Sequence, residues 1–196
     1  MHLALDIFQG VGIALAVGIR PFLPALAVGA LAAGDVQIDF KGTDFSFLQS
    51  TPFLLGMVVG AFVLAYAERR VGPQSPIRRP FTLVVLGCGL ALGALLFAGA
   101  LAQDHHETWP GFIAGVACAA LGAAATVPLL SRVRARLDAA AAAAVPLYGE
   151  GAGLAVAVLS VLAPPVGIIA AALLAWMLFA GRRRDGQKYA GLRILR

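Results

Sequence analysis

The chain has 196 residues, of which 60% are hydrophobic and only 13% are charged, with a mean hydropathy of +0.88. A soluble domain carries about 25% Asp, Glu, Lys and Arg, so there is too little polar surface here to cover a water-soluble fold. A cytosolic enzyme and a DNA-binding domain are excluded on that ground, and the net charge of +5 bears on partners only through where the charges sit.

A membrane-crossing helix needs about 20 mostly apolar residues. Six stretches read as such spans: 3–33, 52–68, 80–102, 109–130, 145–162 and 166–179. Each is apolar all round rather than amphipathic, which marks buried or lipid-facing helices. The predicted fold class is an all-α, polytopic membrane helix bundle of about six transmembrane helices, one domain over residues 1–196.

The first stretch has no positive n-region and no clean cleavage site, so it reads as a retained span rather than a signal peptide. Its 31 residues would form a straight helix of about 46 Å, longer than a bilayer core is thick. Within it lies Gly18-Ile19-Arg20-Pro21-Phe22-Leu23-Pro24. Pro21 and Pro24 lack an N–H, and the residue before a proline is pushed out of helical geometry. The segment therefore predicts a helix broken at Arg20-Pro21. An arginine at that depth costs at least ~2.5 kcal/mol, and the positive end of a half-helix beside it favours a carboxylate or phosphate. Two readings stay open: an internal ion pair, or contact with a small anionic ligand.

The outer loop 34–51 follows. Val36, Ile38 and Phe40 alternate with polar residues, as do Phe45 and Phe47 after a Gly42-containing turn. That pattern fits a short β-hairpin, and equally an irregular loop anchored by phenylalanines. The second span closes on Glu68, a candidate partner for Arg20 or a solvated boundary charge beside Arg69 and Arg70. Between the third and fourth spans, Asp104-His105-His106-Glu107 reads as a solvated turn anchored by Trp109; neighbours in so short a turn are not expected to converge on one ion, so no metal site is predicted. Arg132 to Leu137 and the six alanines 139–144 read as a helical extension of the fourth span. Glu150, between Gly149 and Gly151, is the deeper carboxylate candidate, for ion or proton coupling or for pairing with Arg132, Arg134 or Arg136. Asp6 is a third candidate partner. Ala163-Pro164-Pro165 leaves almost no loop, so the last two spans form a tight helical hairpin.

Thirteen of the 15 basic residues fall on one side of this arrangement, leaving Lys41 outside and Arg20 within the first span. By the positive-inside rule that side is the cytoplasm, which places both the N-terminus and the C-terminus inside and gives a bacterial inner (cytoplasmic) membrane protein. The basic tail 182–196 suits an anionic inner leaflet, and no nucleic acid is implied. The halves 1–103 and 104–196 hold three spans each and are compatible with a 3+3 inverted repeat. Glycine pairs Gly56/Gly60, Gly89/Gly93, Gly111/Gly115 and Gly149/Gly153, with Gly167/Ala171, supply close helix contacts, inside the bundle or on a homodimer face. Cys88 and Cys118 have neither metal nor redox spacing, and no catalytic motif or cofactor signature is found.

The stretch 10–33 with its Arg20-Pro21 motif, Ala67-Glu68, the Pro146–Pro165 segment with Glu150, and Gly191-Leu192-Arg193 together resemble a bacterial family of small multi-span integral membrane proteins known as a domain of unknown function. The chain departs from that pattern in having Arg69-Arg70 where members carry Asp-Lys. The resemblance implies the topology and nothing about substrate. The expected function is a small secondary transporter or lipid-moving protein for an anionic or amphipathic substrate; the alternative is a non-transporting accessory or scaffold subunit of a larger membrane complex.

Overall fold

The computed structural model describes residues 2–70 and 78–190. The closing Gly191-Leu192-Arg193 and the rest of the tail beyond 190 lie outside the described residues. Among the described residues seven helices occur in the order α1 (His2–Ile19), α2 (Phe22–Ala33), α3 (Thr51–Arg70), α4 (Arg78–Ala102), α5 (Trp109–Arg134), α6 (Ala139–Leu162) and α7 (Pro165–Ala190), with a 3-10 turn at Ser46–Gln49. Among the described residues there is no strand. The alternating aromatic loop is thus irregular, and Phe40 and Phe45 anchor it by burial.

Four helices, α3 to α6, are long and apolar enough to cross a membrane, and the apolar part of α7, Pro165–Gly181, is slightly shorter. The helices of one crossing meet those of the next at two ends. Arg69, Arg70, Arg132 and Arg134 lie in the last turns of α3 and α5, and this is called the basic end. The loop 34–50 and the α4–α5 turn lie at the other, the loop end.

The first stretch departs from the expectation of one broken span. α1 ends at Ile19, where Arg20 precedes Pro21, and α2 begins at Phe22 with Pro24 in its first turn, where a missing N–H costs no helical bond. The break is as predicted, but the chain reverses there. Gln9 Nε2 donates to the Gln37 carbonyl at 3.3 Å, although a straight continuation would carry residue 33 about 36 Å beyond Gln9. Phe22 meets Gly60, while Gly29 meets Leu48 and Leu54, so α2 runs antiparallel to α3 and back to the loop end. α1 and α2 form a helical hairpin that enters from the loop end with Arg20 at its tip. Neither arm is a full-length span: α1 has 18 residues and α2 has 12.

Two further expectations change with it. The start of α1 lies at the loop end, where Asp6 accepts from Gln103, whereas Gly181 of α7 lies beside Arg132 at the basic end. The two ends of the described chain therefore sit at opposite ends of the bundle, not together. Four helices precede residue 103 and three follow it among the described residues, which does not match two halves of three. The alanine run also belongs elsewhere: the Asp138 side chain accepts from the Ala141 N–H at 2.8 Å, capping a new helix, so the alanines open α6 rather than extend α5. Between α6 and α7 the tight Pro hairpin is as expected, with α7 starting at Pro165.

α1 is the axis of the bundle. Residues Ile13 to Val17 are all fully buried, and α1 packs on α4, α5, α6 and α7. Such close neighbours require small residues. A β-carbon on Gly18 would overlap the carbonyl oxygen of Ala119 on α5, and one on Gly167 would overlap the carbonyl oxygen of Phe8. The predicted glycine pairs mostly serve this internal packing, with Gly93, Gly111, Gly115 and Gly153 each against another helix; Gly56 is the exception, with nothing within 4 Å. Gly18→Leu is expected to cost about 1–3 kcal/mol through overpacking, read as a lower melting temperature in detergent. Gly56→Leu should melt like the parent. A Gly18→Leu protein of unchanged stability would contradict the α1–α5 contact.

Candidate functional site

Arg20 is 8% exposed, so its charge needs partners within the bundle. The hairpin turn places it between α3 and α6. Its Nη1 donates to Glu68 Oε1 at 2.6 Å and its Nη2 to Glu68 Oε2 at 3.5 Å. Its Nε lies 3.8 Å from Glu150 Oε1. The two-pronged contact with Glu68 is the geometry a planar guanidinium favours for a carboxylate. Arg20 also stands at the negative, C-terminal end of α1, where a cation is stabilised.

Local sequence explains the approach of α6. Gly149 faces the Arg20 side chain, and a β-carbon on Gly153 would press on Pro24 and the Ala16 carbonyl. Glycines one turn apart thus let Arg20 lie along α6 next to Glu150. Glu150 contributes one oxygen towards Arg20; its Oε2 is buried and accepts no hydrogen bond among the described residues. The cluster is asymmetric, with one carboxylate fully engaged and one half-engaged.

A cavity of about 140 Å³ adjoins the pair at the basic end, between Glu68 of α3, Thr82 of α4, Ser131 and Arg134 of α5, and Val145 of α6. Apolar walls from Ile19, Phe81 and Val127 complete it. The volume matches about four to five waters at ~30 Å³ each, so it suits a headgroup-sized or smaller polar species. Among the described residues α3 packs mainly on α2 and the 3-10 turn, and only Leu64 of α3 is buried. The Arg20–Glu68 contact therefore joins the buried Leu64 in holding its basic end.

Arg20, Glu68 and Glu150 are brought together as candidate partners, and Pro21 and Pro24 shape the turn that presents Arg20. Glu68, expected mainly as a boundary charge, is the closer carboxylate. Asp6 is at the far end of α1 and does not approach Arg20, because α1 is an uninterrupted helix between them. Sequence reasoning missed Thr82, Ser131 and Arg134 as cavity residues. The polar side chains near the ends of α4 and α5 were the available signal. Comparison with known proteins finds no matching family model, no matching curated protein and no matching solved structure.

Replacing Glu68 with Gln should destabilise the protein by about 1.5–3 kcal/mol, the range for a hydrogen bond to a charged group. Glu150→Gln should cost less, since its oxygen is farther from the guanidinium. Melting curves in detergent report the order, and equal losses would contradict the assignment of Glu68 as the main partner.

Proposed function

We propose that this chain is a small secondary transporter or lipid-moving protein of the bacterial inner membrane, acting on an anionic or amphipathic substrate. The observation that carries the reading is the buried Arg20 beside a small cavity, with one carboxylate gripping it and a second only half-compensated. A substrate's carboxylate or phosphate displaces Glu68 from the guanidinium, and the apolar part of an amphipathic substrate stays in the bilayer beside the lightly packed α3. Glu150, with its unpartnered buried oxygen, takes up the coupling proton. Arg134 at the cavity rim attracts the incoming anion. Membership of the uncharacterised multi-span family, on the Arg20-Pro21, Glu68 and Glu150 motifs, belongs to the same proposal.

Orientation follows from charge. Arg69, Arg70, Arg79, Arg132, Arg134 and Arg136 belong to the basic end, while Lys41 stands among Asp35, Asp39, Asp44, Asp104 and Glu107 at the loop end. By the positive-inside rule the basic end faces the cytoplasm. The α1–α2 hairpin leaves every loop on its expected side and moves only the start of α1 to the outside.

One feature favours the second reading, an accessory or scaffold subunit or a homodimer. α3 exposes Leu55, Val59, Phe62 and Tyr66 around Gly56, which has open space before it, a face suited to another transmembrane helix.

In liposomes carrying a fluorescent phosphatidylglycerol in one leaflet, the wild-type protein should speed its redistribution. Arg20→Gln should slow that at least tenfold, with the protein still folded by its melting curve. Glu150→Gln should keep binding but lose the pH dependence of the rate. Wild-type rates in Arg20→Gln liposomes would refute the transport reading, and a stoichiometric copurifying partner would favour the scaffold.

A further inference from the structure

At the loop end, Asp6 of α1 meets two side chains of the α4–α5 turn, Asp104 and His106, that are remote from it in sequence. Asp6, Asp104 and His106 each present a ligand-type atom within 4.8 Å of the others. Asp6 is 5% exposed. Its Oδ1 accepts a 3.0 Å hydrogen bond from Gln103 Nε2, which also donates to Gln9 Oε1 at 3.3 Å. Its Oδ2 accepts no hydrogen bond among the described residues and faces His106 Nε2, 3.8 Å away, a nitrogen also shielded from solvent and without a hydrogen-bond partner there, on a ring that is otherwise partly exposed.

The separation is informative. An imidazole–carboxylate hydrogen bond needs about 2.7–3.0 Å, so these two atoms do not satisfy each other. Two ligands of one tetrahedral ion, each about 2.0–2.2 Å from the metal, lie about 3.4 Å apart. For this pair a contraction of a few tenths of an ångström converts the observed spacing into that one, and Asp104 closes on them from within 4.8 Å. The turn is built for this convergence. His106 N–H donates to the Leu101 carbonyl at 3.2 Å, and His105 takes a left-handed backbone with φ of 58°, so that His105 itself points to solvent while the residues on either side of it approach α1.

We infer that Asp6, Asp104 and His106 form a binding site for a single divalent transition-metal cation, Zn²⁺ in preference to Mg²⁺ or Ca²⁺. The imidazole nitrogen is what selects the softer ion, since oxygen-only sets suit Mg²⁺ and Ca²⁺. Two carboxylates neutralise the dication, and three protein ligands leave a fourth position for water. Gln103 orients Asp6 from outside the coordination sphere, as such neighbours do in metal sites. The ion ties the start of α1 to the α4–α5 turn, holding the open end of the re-entrant hairpin. The site is at the opposite end of α1 from Arg20 and stands independently of the transport reading.

The test is calorimetric titration of tag-free, chelator-treated protein in detergent with ZnCl₂, alongside melting curves with and without zinc. The expected result is one Zn²⁺ per chain and a raised melting temperature. His106→Gln and Asp104→Asn should each weaken binding at least tenfold, and His105→Gln should leave it unchanged. Asp104 is exposed, so its replacement spares the fold even where a change at buried Asp6 would not. Absence of saturable zinc binding, parental affinity in both His106→Gln and Asp104→Asn, or Mg²⁺ binding as tight as Zn²⁺ would overturn the inference.

Discussion

A guanidinium keeps its charge even inside an apolar bundle and is costly there without carboxylates to face it, and the architecture of this chain turns on meeting that need for Arg20. The charge sits where α1 stops and α2 reverses, so its partners must come from helices that pass the tip of the hairpin. α3 supplies Glu68 at 2.6 Å and α6 supplies Glu150 at 3.8 Å. The same contact that neutralises Arg20 holds the basic end of α3, a helix with little other burial. Electrostatic compensation and tertiary assembly are thus one interaction.

The second constraint is steric. An apolar helix surrounded by four others has no lipid to yield to, so backbone approach decides whether the bundle closes. Glycines at 18, 122 and 167 each stand where a side chain would strike backbone across an interface with α1. This packing fixes α1 as a rigid post. A rigid post with a charge at one end and a carboxylate at the other gives each end of the bundle a distinct chemistry: a cation-centred cluster beside a small cavity at the basic end, and a carboxylate–imidazole cluster under the α4–α5 turn.

Much of this was legible in the residues. Pro21 behind Arg20 marks the helix break, Ala163-Pro164-Pro165 marks the α6–α7 turn, and the scarcity of intramembrane carboxylates narrows the partners of Arg20 to a few. What the break does afterwards was not legible. A proline says where a helix stops, and an apolar stretch without periodicity does not say which way the next helix runs, so one kinked span and a re-entrant hairpin look the same. The alanine run was misassigned for a related reason: its helix propensity is high in either direction, and only the cap at Asp138 shows to which helix it belongs. The sequence offers Asp104 and His106 in one turn but not Asp6 beside them, because that proximity follows from the reversal of α2 and the antiparallel course of α1 and α4, which no local pattern encodes.

The α1–α2 hairpin sets which side of the membrane the start of α1 faces, and thiol accessibility reads that side. In a background without Cys88 and Cys118, single cysteines replace exposed Leu3, Asp44 and Arg136 in sealed, uniformly oriented vesicles and are challenged with a membrane-impermeant maleimide. Positions 3 and 44 are expected to react from one side and position 136 only from the other. Position 3 reacting together with position 136, and not with 44, would mean that the first stretch crosses the membrane and would contradict the hairpin.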